Sequence, residues 1–154
     1  MSESPTTATI QPGQSVNVTV ARSATTADQV TQPGTYTAQI GFEQGTPYNV
    51  NPENITMNVT PPSGWGKIAG TVSGQDCSNN IKPLRGVVFA TGKKGYSFNL
   101  KTDANGNYAF WAPAGASPFS LLASASGWIA QTQSTNIKGG KTTTANFTLR
   151  PQSC

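Results

Sequence analysis

Catalysis and metal binding need particular side chains, and this sequence has few of them. It contains no histidine. That removes the commonest general base, the serine and cysteine triads built on it, and most zinc sites. The six acidic residues are scattered and form no paired motif for general acid–base work. Two cysteines, Cys77 and Cys154, are too few soft ligands for tetrahedral zinc. The run Asp103-Ala104-Asn105-Gly106-Asn107 offers alternate oxygen ligands of the kind calcium loops use. Its glycine falls fourth rather than sixth, and no glutamate follows Glu53, so it does not fit the EF-hand pattern. Read as a turn, Asn105-Gly106 is a hairpin signal of type I′, with positive φ at both central residues. Asp103 then serves as a side-chain acceptor that fixes the turn backbone. These residues argue against an enzyme and imply no cofactor and no metal.

Binding chemistry is better represented. Trp65, Tyr96, Phe98, Tyr108, Phe110, Trp111 and Trp128 all fall in the second half. Tyr108 and Phe110 share one strand face and, with Phe147, are expected in a core, so Trp111 must point the other way. An outward Trp111 beside Lys93, Lys94 or Lys101 is a candidate binding surface that could stack on a sugar or meet an extended peptide. The competing reading places such a ring in a sandwich interior. Trp65, beside a proline-rich linker, is read as an interdomain wedge. Charge is uneven. Residues 1–62 carry Arg22 against Glu3, Asp28, Glu43 and Glu53, a net of −3, whereas residues 63–154 carry nine basic residues against Asp76 and Asp103, a net of +7. A basic half could attract anionic polymers such as cell-wall glycans or nucleic acid, or simply be a solvated surface.

The elements that must position these side chains read as strands. Only 10% of the 154 residues are charged, so surface polarity comes from Thr, Ser, Asn and Gln. No apolar run approaches the ~20 residues of a membrane span, and no segment shows helical periodicity. Met1-Ser2-Glu3-Ser4 lacks the basic start and apolar stretch of a signal peptide. Pro61-Pro62-Ser63-Gly64 marks an internal boundary, giving domains at 1–62 and 63–154. Four strand-like segments precede it, at 7–10, 15–20, 36–42 and 55–59, with turns at Pro12-Gly13 and Pro33-Gly34. Four strands fall short of the roughly seven of a complete sandwich. Seven follow it, near 67–72, 87–90, 97–102, 107–112, 119–124, 128–134 and 142–149. The expected fold is all-β: two small antiparallel β-sandwich units in tandem, the second seven-stranded.

Particular motifs carry a family likeness. The run from Thr102 to Gly115, with Ile68-Ala69-Gly70-Thr71-Val72, Pro83-Leu84-Arg85-Gly86-Val87-Val88, Leu121 to Trp128 and Ala145-Asn146-Phe147-Thr148-Leu149, resembles the carboxypeptidase-regulatory-like domain. That family is a transthyretin-like (prealbumin-like) sandwich found as an accessory module on secreted proteins, and the resemblance spans residues 66–150. After Ala114-Gly115 the sequence departs from it, because Ala116-Ser117-Pro118 intervenes before Phe119. Residues 7–60, with Ile10-Gln11-Pro12-Gly13 and Pro33-Gly34-Thr35-Tyr36, resemble part of the immunoglobulin-like domains that follow catalytic domains in secreted bacterial subtilisin-like proteases. In such an extracellular setting the natural state of Cys77 and Cys154 is a disulfide pinning the chain end to a loop, the alternative being two free thiols. Lys67 and Asn146 resemble, in placement only, the Lys–Asn pair that some collagen-adhesin B-type modules join by an isopeptide bond.

These resemblances imply a secreted, extracellular fragment without its signal peptide. Its role would be a non-catalytic accessory module of a secreted hydrolase, a protease above all, for spacing, stabilisation or attachment to substrate or envelope. Its partners would be a parent catalytic domain in the same polypeptide and an extracellular polymer, glycan or protein. A second expectation is a structural subunit or stalk module of a surface assembly, whose missing strands a neighbouring chain supplies by strand addition. A third is a carbohydrate-binding module. Nucleic acid is not an expected partner.

Overall fold

The computed structural model describes residues 2–21, 31–43 and 50–154. The chain is all-β and divides into two compact units, Met1–Val59 and Thr60–Cys154.

The first unit contains two antiparallel ribbons. β1 (Ser2–Ser4) pairs with β2 (Thr19–Ala21), and β3 (Gly34–Ile40) pairs with β4 (Glu53–Val59). The last two expected segments are therefore strands, the third lying two residues earlier than expected and the fourth beginning two residues earlier and ending as expected. The expected strand at 7–10 does not form, and 15–20 contributes only its end. Val16 and Val18 alternate as a strand would, yet alternation yields a strand only where a neighbouring backbone completes the ladder. Pro12-Gly13 does make its turn: Gln14 N–H donates to Gln11 O at 3.0 Å, with Gly13 at φ +81°. The β3–β4 ribbon has two unlike faces. Thr35–Asn58, Thr37–Thr56 and Gln39–Asn54 form a polar face, with side-chain hydrogen bonds of 2.9 Å from Thr35 to Asn58 and from Gln39 to Asn54. Tyr36–Met57 and Ala38–Ile55 form the apolar one. None of the described residues of this unit is buried.

The second unit is a complete two-sheet sandwich. Its strands are β5 (Trp65–Gln75), β6 (Ile81–Pro83), β7 (Val87–Thr91), β8 (Ser97–Lys101), β9 (Asn107–Pro113), β10 (Phe119–Ser124), β11 (Trp128–Ile129), β12 (Gln131–Thr135), β13 (Thr142–Thr144) and β14 (Phe147–Pro151). All seven expected segments are strands; the last two are each broken in two, and β6 is additional. One sheet has the order β12-β10-β7-β8. The other is built on β5, which pairs with β9 and β6 along one edge and with β13 and β14 along the other. The pairing is antiparallel except at β13 and β14, which run parallel to β5. Between the sheets lie Ile68, Val72, Val88, Tyr108, Phe110, Phe119, Leu121, Phe147 and Leu149, all buried. Phe98, Phe110 and Phe119 pack as a ring cluster, with centroids 4.7 Å apart for Phe98–Phe110 and 5.6 Å for Phe110–Phe119. Despite the intervening Ala116-Ser117-Pro118, β10 starts at Phe119; residues Ala114–Ala116 make one 3₁₀ turn that buries Ala116.

The expected hairpin at Asn105-Gly106 is overturned. β8 pairs with β7 and β9 with β5, so residues 102–106 carry the chain from one sheet to the other. The turn is not type I′ either. Gly106 has φ +76°, but Asn105 is not among the residues with positive φ. Gly106 N–H donates to Asp103 O at 3.1 Å, and Asp103 N–H to Asn107 O at 3.0 Å. Asp first and glycine fourth is the composition of a type I turn. Nor is its tip free of the core. A Cβ on Gly106 would stand 2.3 Å from Val72 O, and Gly106 O accepts from Val72 N–H at 2.8 Å.

Cys77 and Cys154 are joined, with Cα atoms 5.8 Å apart. The parallel register explains the meeting. With Leu149 beside Gly74, β14 and β5 finish at the same end of the sandwich, so the residues just beyond both strands converge there. Strand β5 thus runs from an entry end, at Trp65, to a disulfide end.

Two outcomes follow from these contacts. Gly106→Ala combines a left-handed backbone with a clash against main chain, and it should cost about 2–4 kcal/mol in a denaturant melt. Asn105→Asp should stay within about 0.5 kcal/mol as an exposed turn change; a Gly106→Ala melt matching the parent protein would refute this reading of the turn. Reduction of the disulfide, which spans 77 positions, should lower the melting temperature. Its chain-entropy contribution is about 4.5 kcal/mol, less whatever fraying of the last residue removes. Maleimide labelling of both thiols in unreduced native protein would contradict the bond.

Candidate functional site

On β9, Tyr108, Phe110 and Ala112 turn inward, which sends Asn107, Ala109 and Trp111 to the outer face of the β5 sheet. Trp111 is half-buried there, opposite Lys67, and Thr142 flanks Lys67 on its other side. The next tier is Ala109, Ala69 and Thr144, followed by Asn107 and Thr71. Small residues in that middle tier leave an open depression of about 560 Å³. Lys67 stands at one end of it, and Thr71, Asn107, Asp103 and Asn146 at the other.

The four nominated surface residues do not come together. Lys93 and Lys94 occupy the 3₁₀ turn Lys93–Gly95 between β7 and β8, and Lys101 sits at the far end of β8, opposite Val87. The crossing at 102–106 puts Lys101 and Trp111 in different sheets, although they are close in sequence. Lys101 instead shares a second open depression, also about 560 Å³, with Arg85, Thr102, Ser124 and Ser126. The lysine that does accompany Trp111 is Lys67. Trp65 is half-buried opposite Pro113, and its carbonyl accepts from Gly140 N–H at 2.8 Å. Its reading as an interdomain wedge stays an expectation.

Asn146 has a structural task that its sequence did not disclose. Between β13 and β14 the parallel ladder is interrupted, and Asn146 Oδ1 accepts from Thr71 N–H at 2.9 Å, replacing a main-chain carbonyl. The same oxygen receives Thr71 Oγ1 at 3.3 Å. Lys67 lies four strand positions away from Thr71, about 13 Å. The pair is therefore not positioned for an isopeptide bond.

Both carboxylates of the second unit hold turns. Asp103 Oδ1 accepts from Asn105 N–H and Asn107 N–H, each at 2.8 Å, and Oδ2 from the Asn107 side chain at 3.0 Å. The expected acceptor role of Asp103 is what these bonds describe. The same arrangement recurs at Asp76, which accepts from Ser78 N–H, Asn80 N–H and the Asn80 side chain at 2.9, 2.9 and 3.2 Å. Asn79, at φ 65°, takes the place of Gly106. Hydrogen bonds from Asn107 hold the Asp103 carboxyl below the ordinary aspartate range, and those from Asn80 do the same for Asp76. The repeat Asp-x-x-(Asn/Gly)-Asn was legible in the sequence, and a search for it would have found the second copy. Among the described residues no group of three His, Cys, Asp or Glu side chains could hold a metal ion.

Tyr108 ties the core to the interrupted seam, its hydroxyl donating to Ala145 O. Burial pushes its pKa up to about 12.

No family model matches this chain, and no curated protein matches it. Solved structures do. The minor pilin of the gram-positive pathogen Streptococcus agalactiae is 19% identical at a TM-score of 0.46, over 66% of this chain and 54% of the pilin. The TIE protein of Bacillus anthracis is 16% identical at a TM-score of 0.47, over 79% of this chain and 26% of that one. The chain thus spans about half of one and a quarter of the other, and neither likeness is close enough to bear on function.

Tyr108 gives the site a pH signature. Its folded pKa lies above the ordinary value of 10, so the neutral hydroxyl is favoured by folding. The stabilisation is complete below pH 10 and is lost as pH rises through 12, by roughly 3 kcal/mol at most. Tyr108→Phe should be less stable at pH 7 by about 1–2 kcal/mol, through the unpaired Ala145 carbonyl. Its stability should then fall less steeply than the parent's between pH 10 and 12. Parallel curves for the two proteins over that window would contradict the assignment.

Proposed function

We propose that this chain is a non-catalytic, extracellular β-sandwich module that serves a larger secreted polypeptide, a hydrolase such as a subtilisin-like protease, by spacing and stabilising it and attaching it to a polymer or envelope. In this reading the second unit is a carboxypeptidase-regulatory-like domain and the first is part of an immunoglobulin-like domain. The observation that carries the proposal is how the second unit spends its reactive side chains. Both of its carboxylates are turn acceptors and both of the chain's cysteines form one disulfide. No histidine exists to act as a base. A disulfide also suits an oxidising compartment.

A second reading, a structural subunit completed by strand addition, is favoured by the β3–β4 ribbon. Its apolar face, with Tyr36, Ile55 and Met57, is only half-buried, and Ile10 and Phe42 are 53% and 44% exposed. A two-stranded ribbon is marginal alone in water. Strands supplied by the same polypeptide or by a neighbouring chain would cover it.

Purified protein of residues 1–154 should hydrolyse neither casein nor common glycosides. Residues 60–154 alone should melt cooperatively, while residues 1–59 alone should show no transition. Turnover that survives repurification and disappears in Asp76→Asn or Asp103→Asn would overturn the non-catalytic reading. A cooperative melt of residues 1–59 would remove the case for outside strands.

A further inference from the structure

We infer that the entry end of the second unit is a docking surface for a linear polyanion, an extracellular polymer carrying repeated phosphate or carboxylate groups. This identifies the polymer left open above and rests on the extracellular reading.

The chain's path gathers five lysines at that end. Lys67 lies near the start of β5, and its N–H donates to Lys141 O at 2.9 Å. Lys141 N–H donates to Lys138 O at 3.1 Å, closing the loop before β13. Lys93 and Lys94 form the β7–β8 turn at the same end, since Thr91 and Ser97 close that hairpin and β10 enters beside Thr91 from the 114–116 turn. Lys94 Nζ approaches Gly115 in that turn. Four of the five are exposed and Lys67 is half-buried.

No carboxylate of the unit balances them. The unit's only acids are Asp76 and Asp103. Asp76 follows β5, nine positions beyond Lys67, about 30 Å along the strand. Asp103 lies beside Asn107, at the level of Thr71, about 13 Å from Lys67. Both exceed the Debye length of about 8 Å at physiological salt. Within the second unit the five charges therefore have no nearby acidic partner.

Their arrangement selects the ligand. They sit on three separate segments around a rim and do not converge on one pocket, which suits an extended, multivalent anion rather than a single phosphate. The exposed large apolar residues of the unit, Ile81, Phe89, Leu122 and Ile129, lie outside those segments. Lys94 sits in an unusual backbone. It holds φ 58°, a left-handed backbone that lysine rarely adopts, immediately before Gly95 at φ 77°. A glycine or asparagine would fit that backbone with less strain.

The test uses the full chain against immobilised long-chain polyphosphate, polygalacturonate, neutral dextran, and vesicles rich in phosphatidylglycerol. Binding to either anionic polymer, and not to dextran, is expected; which of the two binds more tightly tells phosphate from carboxylate. The log–log salt slope should be about −3.5, from five contacts at roughly −0.7 each. The variant Lys93→Gln/Lys94→Gln/Lys138→Gln/Lys141→Gln should lose at least about thirty-fold in affinity at 0.1 M salt and flatten the slope to near −1. The pair Lys82→Gln/Lys101→Gln, at the disulfide end, should bind like the parent. Thermal melts confirm that both variants fold. Equal losses in both variants, binding to vesicles alone, or no polymer binding at 50 mM salt would each overturn the inference. Absent binding leaves the non-catalytic reading standing, whereas shortening of the polygalacturonate by the protein would overturn that reading instead.

Discussion

Strand β5 is the constraint on which the second unit depends. Its inward face alternates Gly66, Ile68, Gly70, Val72 and Gly74. The two large residues anchor the core, while close approach by other segments requires the glycines between them. A Cβ at Gly70 would stand 1.8 Å from Ala145 O, and one at Gly74 would stand 2.4 Å from the Trp128 ring. The last third of the chain can therefore lie directly on β5, pairing with its free edge and placing Trp128 over its end. Because that edge is taken in parallel, β14 finishes where β5 finishes, and the disulfide becomes geometrically available. The central strand thus sets the seam, the covalent closure and the register together.

The polar chemistry of the unit maintains this arrangement. Thr102 is buried and bridges two neighbours: its hydroxyl donates to Leu84 O and accepts from Gly86 N–H, each at 2.8 Å. The two aspartate turns and Asn146 each satisfy backbone N–H groups that the ladders leave over. An unpaired buried amide costs free energy comparable to a lost hydrogen bond, so these side chains are as much part of the fold as the core. Both carboxylates stay ionised in these turns, and each has a nearby cation, Lys82 for Asp76 and Arg85 for Asp103.

The first unit shows the opposite balance. Its β3–β4 ribbon has the alternation of a sandwich strand pair, with amides and hydroxyls on one face and Tyr36, Met57 and Ile55 on the other. Yet no described residue in it reaches full burial. Alternating sequence specifies which face seeks cover without supplying the cover. The same residues would be core in a sandwich with strands opposite them, which is why strand addition remains a specific reading of this unit.

Strand content, the division into an acidic and a basic half, the core assignment of Tyr108, Phe110 and Phe147, and the turn role of Asp103 were all legible in the sequence, because period-2 burial and side-chain capping act within a few residues. What Asp103-Ala104-Asn105-Gly106 connects was not. The same four residues can reverse a chain within a sheet or carry it between two sheets, and the choice falls to distant partners: β7 for β8, and β5 for β9. That choice separated Lys101 from Trp111 and brought Lys67 beside the tryptophan. The parallel seam, the task of Asn146 and the placement of Lys93, Lys94, Lys138 and Lys141 at the same end of the sandwich as Lys67 also depend on strand order. Each joins segments many residues apart, and only the packing of two sheets around β5 decides which segments meet.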